Sequence, residues 1–131
     1  MLSLAYLSKW PSVYRDREKS IKDVLFINIT PTVNEDNITI KSSTDKYTQE
    51  IVIYDNTIHL NSSCKIMCSC QSFQFEFANA VFKAGSLIHP IEFVRSIISR
   101  PKKKNEYNTP SGCKHIIALV QQVLKLKITT K

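Results

Sequence analysis

Short apolar runs separated by polar turns dominate the first half of the chain. Val, Ile, Phe and Thr cluster from Asp23 to Ile29 and again from Asn37 to Ser42, with Pro31 and Asn34-Glu35-Asp36 between them, which predicts two strands and a connection. Tyr47, Gln49, Ile51 and Ile53 alternate with Thr48, Glu50, Val52 and Tyr54, and the turn-forming Ser43-Thr44-Asp45-Lys46 upstream predicts a hairpin. After a second turn at Asp55-Asn56, Thr57 to Leu60 and Lys65 to Met67 are expected to continue the extended chain as an antiparallel meander.

The second half changes period. Ser72 to Phe77 alternates polar and apolar residues, a pattern that predicts a strand with Phe73, Phe75 and Phe77 on one face; Ala78 to Phe82 either prolongs it or turns helical. Pro90 suits the first position of a helix, and Ile91, Val94, Ile97 and Ile98 share one face before Arg100-Pro101 ends it. The stretch from Lys102 to Pro110 lacks an apolar period and reads as a solvated loop. From Cys113 onward, Ile116, Ile117, Val120, Val123 and Leu124 recur at spacings of three and four, the clearest helical stripe in the chain. Ser111-Gly112 can cap this helix or give it a flexible approach, and Lys125, Lys127 and Lys131 fall toward the end of its dipole that favours cations.

Composition narrows the possibilities. A chain of 131 residues, 43% hydrophobic and with two glycines, is expected to form one domain spanning 1–131 without extended disorder. The net charge of +7 favours anionic partners, but lysine outnumbers arginine 14 to four, so base-specific reading of nucleic acid is not expected. The apolar start, Met1 to Leu7, is too short for a secretory signal, and nothing approaches a membrane span. The protein is therefore expected in a reducing compartment, not secreted, where cysteines bind metal more readily than they form disulfides.

Four residues then stand out: Cys68, Cys70, Cys113 and His115. Three thiolates and an imidazole make a closed tetrahedral zinc set, in which no coordination position is left for a substrate. The one-residue spacing within each pair constrains the backbone. Alternate residues on a flat strand lie about 7 Å apart, so the chain must curl at Cys68-Ser69-Cys70. On a regular helix, residues two apart diverge by roughly 200°, so Cys113 and His115 must use the irregular helix start, where free amides also favour a thiolate. Cys64, four residues before Cys68, is expected to be a free, partly buried thiol, although it stands close enough in sequence to replace a ligand. His59 and His89 are expected to be ordinary polar positions.

The order and both spacings resemble the SWIM zinc finger, whose pattern is Cys-x-Cys followed by Cys-x-His in a strand-strand-helix unit. Phe73 after the first pair, and Gly112-Cys113-Lys114-His115-Ile116 leading a helix, extend the similarity over about residues 47 to 125. The implied fold is α+β: an antiparallel strand meander, a zinc-clamped strand-strand-helix unit and a short additional helix. Residues 1–46 supply the N-terminal segment and first strands, and 47–127 the finger, with a long insertion at 71–112. These 42 intervening residues exceed the gap usual in the family. In this expanded form the chain also resembles small structural or uncharacterised proteins of tailed bacteriophages, and its richness in lysine, isoleucine and asparagine suits an AT-rich genome.

No glycine-rich phosphate loop or paired nucleophile and base points to an enzyme. The expected role is a zinc-stabilised protein–protein interaction module, a virion or assembly component located in the particle or the host cytoplasm, without a small-molecule substrate. The alternative is sequence-independent nucleic-acid binding, with Lys102, Lys103 and Lys104 contacting phosphates. The three phenylalanines are expected in the core in preference to stacking on bases. Trp10 and Tyr14 pack either on the chain's own sheet or on another subunit.

Overall fold

The computed structural model describes residues 1–88, 105 and 108–126. The fold is α+β, a five-stranded antiparallel sheet with short helices. The strands are β1 (Leu2–Ser3), β2 (Asn28–Val33), β3 (Ile38–Ser43), β4 (Thr48–Ile53) and β5 (Ser63–Cys68), in the order β1-β5-β4-β3-β2. From β2 to β5 this is the expected meander, because each strand folds back on its predecessor through a local turn. Asn34 closes the first turn with both its backbone and its side chain on Asn37, and Thr44 N–H donates to the Tyr47 carbonyl in the second.

One face of the sheet is apolar. Ile38, Ile53 and Cys64 lie side by side across β3, β4 and β5, as do Ile40, Ile51 and Ile66, and all six are fully buried. Helix α4 (Lys114–Val123) covers this face: it packs on β5 and against α1 (Leu4–Leu7) and α2 (Lys19–Lys22). Ile116, Ile117, Val120 and Val123 of the predicted stripe are buried, with Ala118 and Leu119 from outside it, while Leu124 is half-buried. Among the described residues no helix is long and apolar enough to cross a membrane.

Several elements depart from the sequence reading. The first strand, expected at 23–29, runs from Asn28 to Val33 and contains Pro31. Because β2 lies at the sheet edge, one row of its backbone groups has no partner strand among the described residues, and a residue lacking N–H is tolerated there. Thr57 to Leu60 forms part of the β4–β5 loop instead of extended chain, so His59 is a loop residue; it pairs with Asp55 at 2.9 Å. The N-terminal segment contributes β1 to the sheet, pairing Leu2 with Cys64.

The largest correction concerns the phenylalanines. Residues Phe73–Phe77 form a π-helical turn that continues into α3 (Ala78–Lys83), not a strand. Phe73 and Phe77 are fully buried while Phe75 is 66% exposed, so the three do not share a face. The alternation Phe-Gln-Phe-Glu-Phe concealed a helical stripe of Phe73, Phe77 and Val81, spaced by four. Winding starts immediately after the first cysteine pair, where Gln74 N–H donates to the Cys70 carbonyl, and widens where Ala78 N–H reaches the Phe73 carbonyl.

That turn anchors the N-terminal segment. Trp10 and Tyr14 pack on Phe77, with ring centroids 5.9 and 5.6 Å away, and so they belong to the chain's own core, on a helical turn instead of the sheet. The Arg17 guanidinium lies 4.4 Å from the Tyr14 ring centroid and forms an ion pair of 2.7 Å with the buried Glu76. Asn105 joins the same network by donating to the Glu76 carbonyl and accepting from the Tyr14 hydroxyl. The helix expected from Pro90 to Arg100, His89 and the Lys102-Lys103-Lys104 run lie outside the described residues.

The helical placement separates two otherwise similar substitutions. Phe77→Ala should cost about 3–5 kcal/mol of stability as a large core truncation, and Phe75→Ala no more than about 0.5 kcal/mol as a surface change. Urea unfolding at fixed zinc concentration measures both, and equal losses would contradict the opposite placement of the two rings.

Candidate metal centre

The two cysteine-containing segments meet where β5 ends and α4 begins. Cys68 is the last residue of β5, and its side chain points to the core face with Ile66 and Cys64. The chain then curls, as the spacing requires. Ser69 is fastened to the start of β4 by two bonds, its N–H donating to the Thr48 carbonyl and its hydroxyl accepting from Thr48 N–H. Gln74 donates to the Ser69 carbonyl, and the curl turns Cys70 back toward Cys68.

On the other side Cys113 is the residue before the first turn of α4, with extended backbone at φ −74° and ψ 176°, and His115 lies within that turn. This change of backbone conformation between the two is what lets their side chains converge. Ser111 does not cap the helix, because its hydroxyl donates to the Gly112 carbonyl. Gly112 matters for space: a Cβ there would sit 2.6 Å from Cγ2 and 2.8 Å from Cβ of Ile116. Glycine therefore lets the approach to Cys113 lie directly over the helix.

All four predicted ligands come together, with their Sγ and imidazole nitrogen atoms within 4.8 Å of one another and all four residues buried. His115 presents Nδ1, which lies 3.8 Å from Sγ of Cys68 and 3.8 Å from Sγ of Cys113. Tetrahedral zinc with ordinary bond lengths separates a sulfur from a nitrogen ligand by about 3.6 Å. The donor spacing fits the ion, and its mixture of thiol and imidazole is the one zinc takes in structural sites. Tyr47 packs on the imidazole, with 5.4 Å between ring centroids.

Charge supports the same conclusion. Hydrogen bonds from Cys113 and Cys68 hold the Cys70 thiol well below its ordinary range, while burial pushes Cys113 well above it. At Cys68 the bond from Cys113 pulls downward, but the interaction with Cys70 and burial outweigh it and push the thiol up to about 12. Burial and mutual repulsion oppose ionising all three adjacent sulfurs at once. A divalent cation stabilises all three as thiolates. A cavity of about 460 Å³, bordered by Trp10, Arg17, Tyr47, Cys70, Lys114 and His115, opens beside the cluster and offers an ion a route to it.

The other candidates stand apart. Cys64 is buried and free, and its Sγ lies 3.7 Å from the Leu2 carbonyl, facing β1 and not the cluster. Burial pushes its thiol up to about 12. One partner of the site escaped the sequence reading: the side-chain amide of Gln49 donates to Cys68 Sγ at 3.8 Å. Its only signal was a polar residue at a core-facing position of β4.

The arrangement defines a Cys3His metal centre clamped between a strand end and a helix start. Residues 50–81 and 109–124 match the SWIM zinc finger, a match that skips most of the insertion and includes all four ligands. Together the family match and the clustered donors imply zinc binding. No curated protein and no solved structure matches the chain, so neither comparison supports the likeness to tailed-phage proteins.

Two outcomes test the local geometry. Gly112→Ala should destabilise the protein by about 1–3 kcal/mol, the range for overpacking, visible as a lowered unfolding midpoint. Cys64, held protonated far above neutral pH by its raised pKa, should resist iodoacetamide in the folded metal-loaded protein at pH 8 and react after denaturation, as read by mass spectrometry.

Proposed function

We propose that this chain is a zinc-stabilised protein-interaction module and not an enzyme. The observation that carries the reading is the closed ligand set: four buried donors converge on one point, which satisfies a tetrahedral zinc without an open position for substrate or water. The metal then acts by folding, holding the start of α4 against the end of β5. Structural zinc binding is worth on the order of 10–16 kcal/mol in small peptides, comparable with the net stability of a whole domain.

Exposed apolar residues support protein as the partner. Leu25 and Ile27, just before β2, are 80% and 68% exposed, and Val33, at the far end of that edge strand, is 46% exposed; exposed apolar side chains flanking an edge strand are the support for a protein partner. The setting we favour is a virion or assembly complex of a tailed bacteriophage, for which the expanded Cys-Ser-Cys and Gly-Cys-Lys-His contexts are the support. A second reading rests on the net charge of +7 and the Lys102-Lys103-Lys104 run, which favour sequence-independent binding to nucleic acid.

Metal analysis of purified protein should give one zinc per chain. Cys70→Ser and His115→Ala should lose it together with the cooperative unfolding transition; a wild type that is metal-free and equally stable would remove the zinc reading. A salt titration of binding to random duplex DNA decides between the two partner classes. Affinity that falls steeply with salt supports nucleic acid, whereas no binding at low salt removes it.

A further inference from the structure

On the core-facing side of the sheet, side chains run in rows across β3, β4 and β5. Two of these rows are apolar or nearly so: Ile38, Ile53 and Cys64, and Ile40, Ile51 and Ile66. The third is different. Ser42 pairs directly with Gln49, and Gln49 pairs directly with Cys68, so a polar row crosses three strands and ends on a metal ligand.

Both polar residues are buried, at 4% exposure for Ser42 and 3% for Gln49. Burying a hydroxyl and a primary amide on a face with five isoleucines is unfavourable unless their hydrogen-bonding groups are matched. Here they are matched in one direction. The Ser42 hydroxyl donates to Gln49 Oε1 at 2.7 Å, and Gln49 Nε2 donates to Cys68 Sγ at 3.8 Å, a length normal for the larger sulfur acceptor. The sulfur, an acceptor when ionised, takes the N–H end of the amide, and the Ser42 hydroxyl, which can donate or accept, holds the other end by donating to Oε1. The reversed amide would set a carbonyl oxygen against a thiolate, which is repulsive.

Given the zinc reading above, on which this step rests, we infer that Gln49 is a positioning residue for the metal centre, held in place by Ser42 while it donates a hydrogen bond to the Cys68 thiolate. Outer partners of this kind orient a ligand and tune its electron donation, and their removal commonly weakens metal binding about 10- to 100-fold. The bond withdraws electron density from the sulfur and fixes the Cys68 side chain before the ion arrives. It also accounts for a polar row in an otherwise aliphatic sheet face.

The experiment uses the full chain loaded with cobalt(II), whose thiolate-to-metal absorption reports electron density on sulfur, together with zinc affinity by chelator competition. Gln49→Leu should move the charge-transfer band to longer wavelength and weaken zinc binding about 10- to 100-fold. Ser42→Ala, which leaves Gln49 Oε1 without that donor, should shift both in the same direction by less. Ile40→Val is the control, since it loosens the neighbouring row without touching the donor. It should leave the band in place. If Gln49→Leu does not fold, Ser42→Ala decides by itself. An unmoved band in every folded variant of Ser42 and Gln49, or an equal shift in Ile40→Val, overturns the inference while leaving zinc binding intact. A wild type that takes up neither metal overturns both.

Discussion

Three sulfurs and an imidazole buried within 4.8 Å of one another carry the charge needed for ligation only with a cation among them. On the zinc reading, the docking of α4 on β5 depends on that electrostatic condition. With it met, the end of β5 and the start of α4 are fixed to one point, although 42 residues separate the two ligand pairs in the chain. The helix is thereby set across the aliphatic rows of the sheet, and the core between them closes. Without the cation, the sulfurs would offer weak hydrogen bonds in place of four coordinate bonds.

The surroundings of the clamp serve the same end. Backbone bonds from Thr48 and Ser69 hold the curl between Cys68 and Cys70, and the π-helical turn begins at once, placing Phe73 and Phe77 beneath the sheet. Phe77 then receives Trp10 and Tyr14, while Glu76 receives Arg17 and Asn105, so the N-terminal segment and the described end of the insertion meet on one helical turn. On the opposite side Ser86 to Ile88 bonds to Ile66 and extends the protection of the β5 edge beyond the two residues of β1. The insertion is thus tied to the same sheet at its start and to the N-terminal aromatic cluster through Asn105.

For function, the consequence is a division of labour. On the function proposed above, a closed metal centre would contribute rigidity and leave recognition to the surface, where exposed apolar residues flank β2 and the chain carries a net positive charge. The Ser42-Gln49-Cys68 row shows that the sheet also reaches into the metal centre chemically as well as sterically.

The four donors that cluster were legible in the sequence alone, because a metal demands particular donor atoms and a one-residue spacing within each pair leaves few ways to converge on an ion. The sequence also determined the β3–β4 hairpin and α4, whose periods are long enough to have one reading. Tertiary structure decided the cases in which a local pattern had two solutions. Phe73 to Phe77 fits a period of two as well as a stripe of four, and only the curl at Cys70 together with the N-terminal aromatics selects the helix. Pro31 lies within a strand because that strand is at an edge, and β1 exists because β5 has a free side, neither of which the local sequence encodes. Gln49 reads as one more polar residue in a strand until the register places Cys68 beside it, since a partner across strands is a property of the assembled sheet.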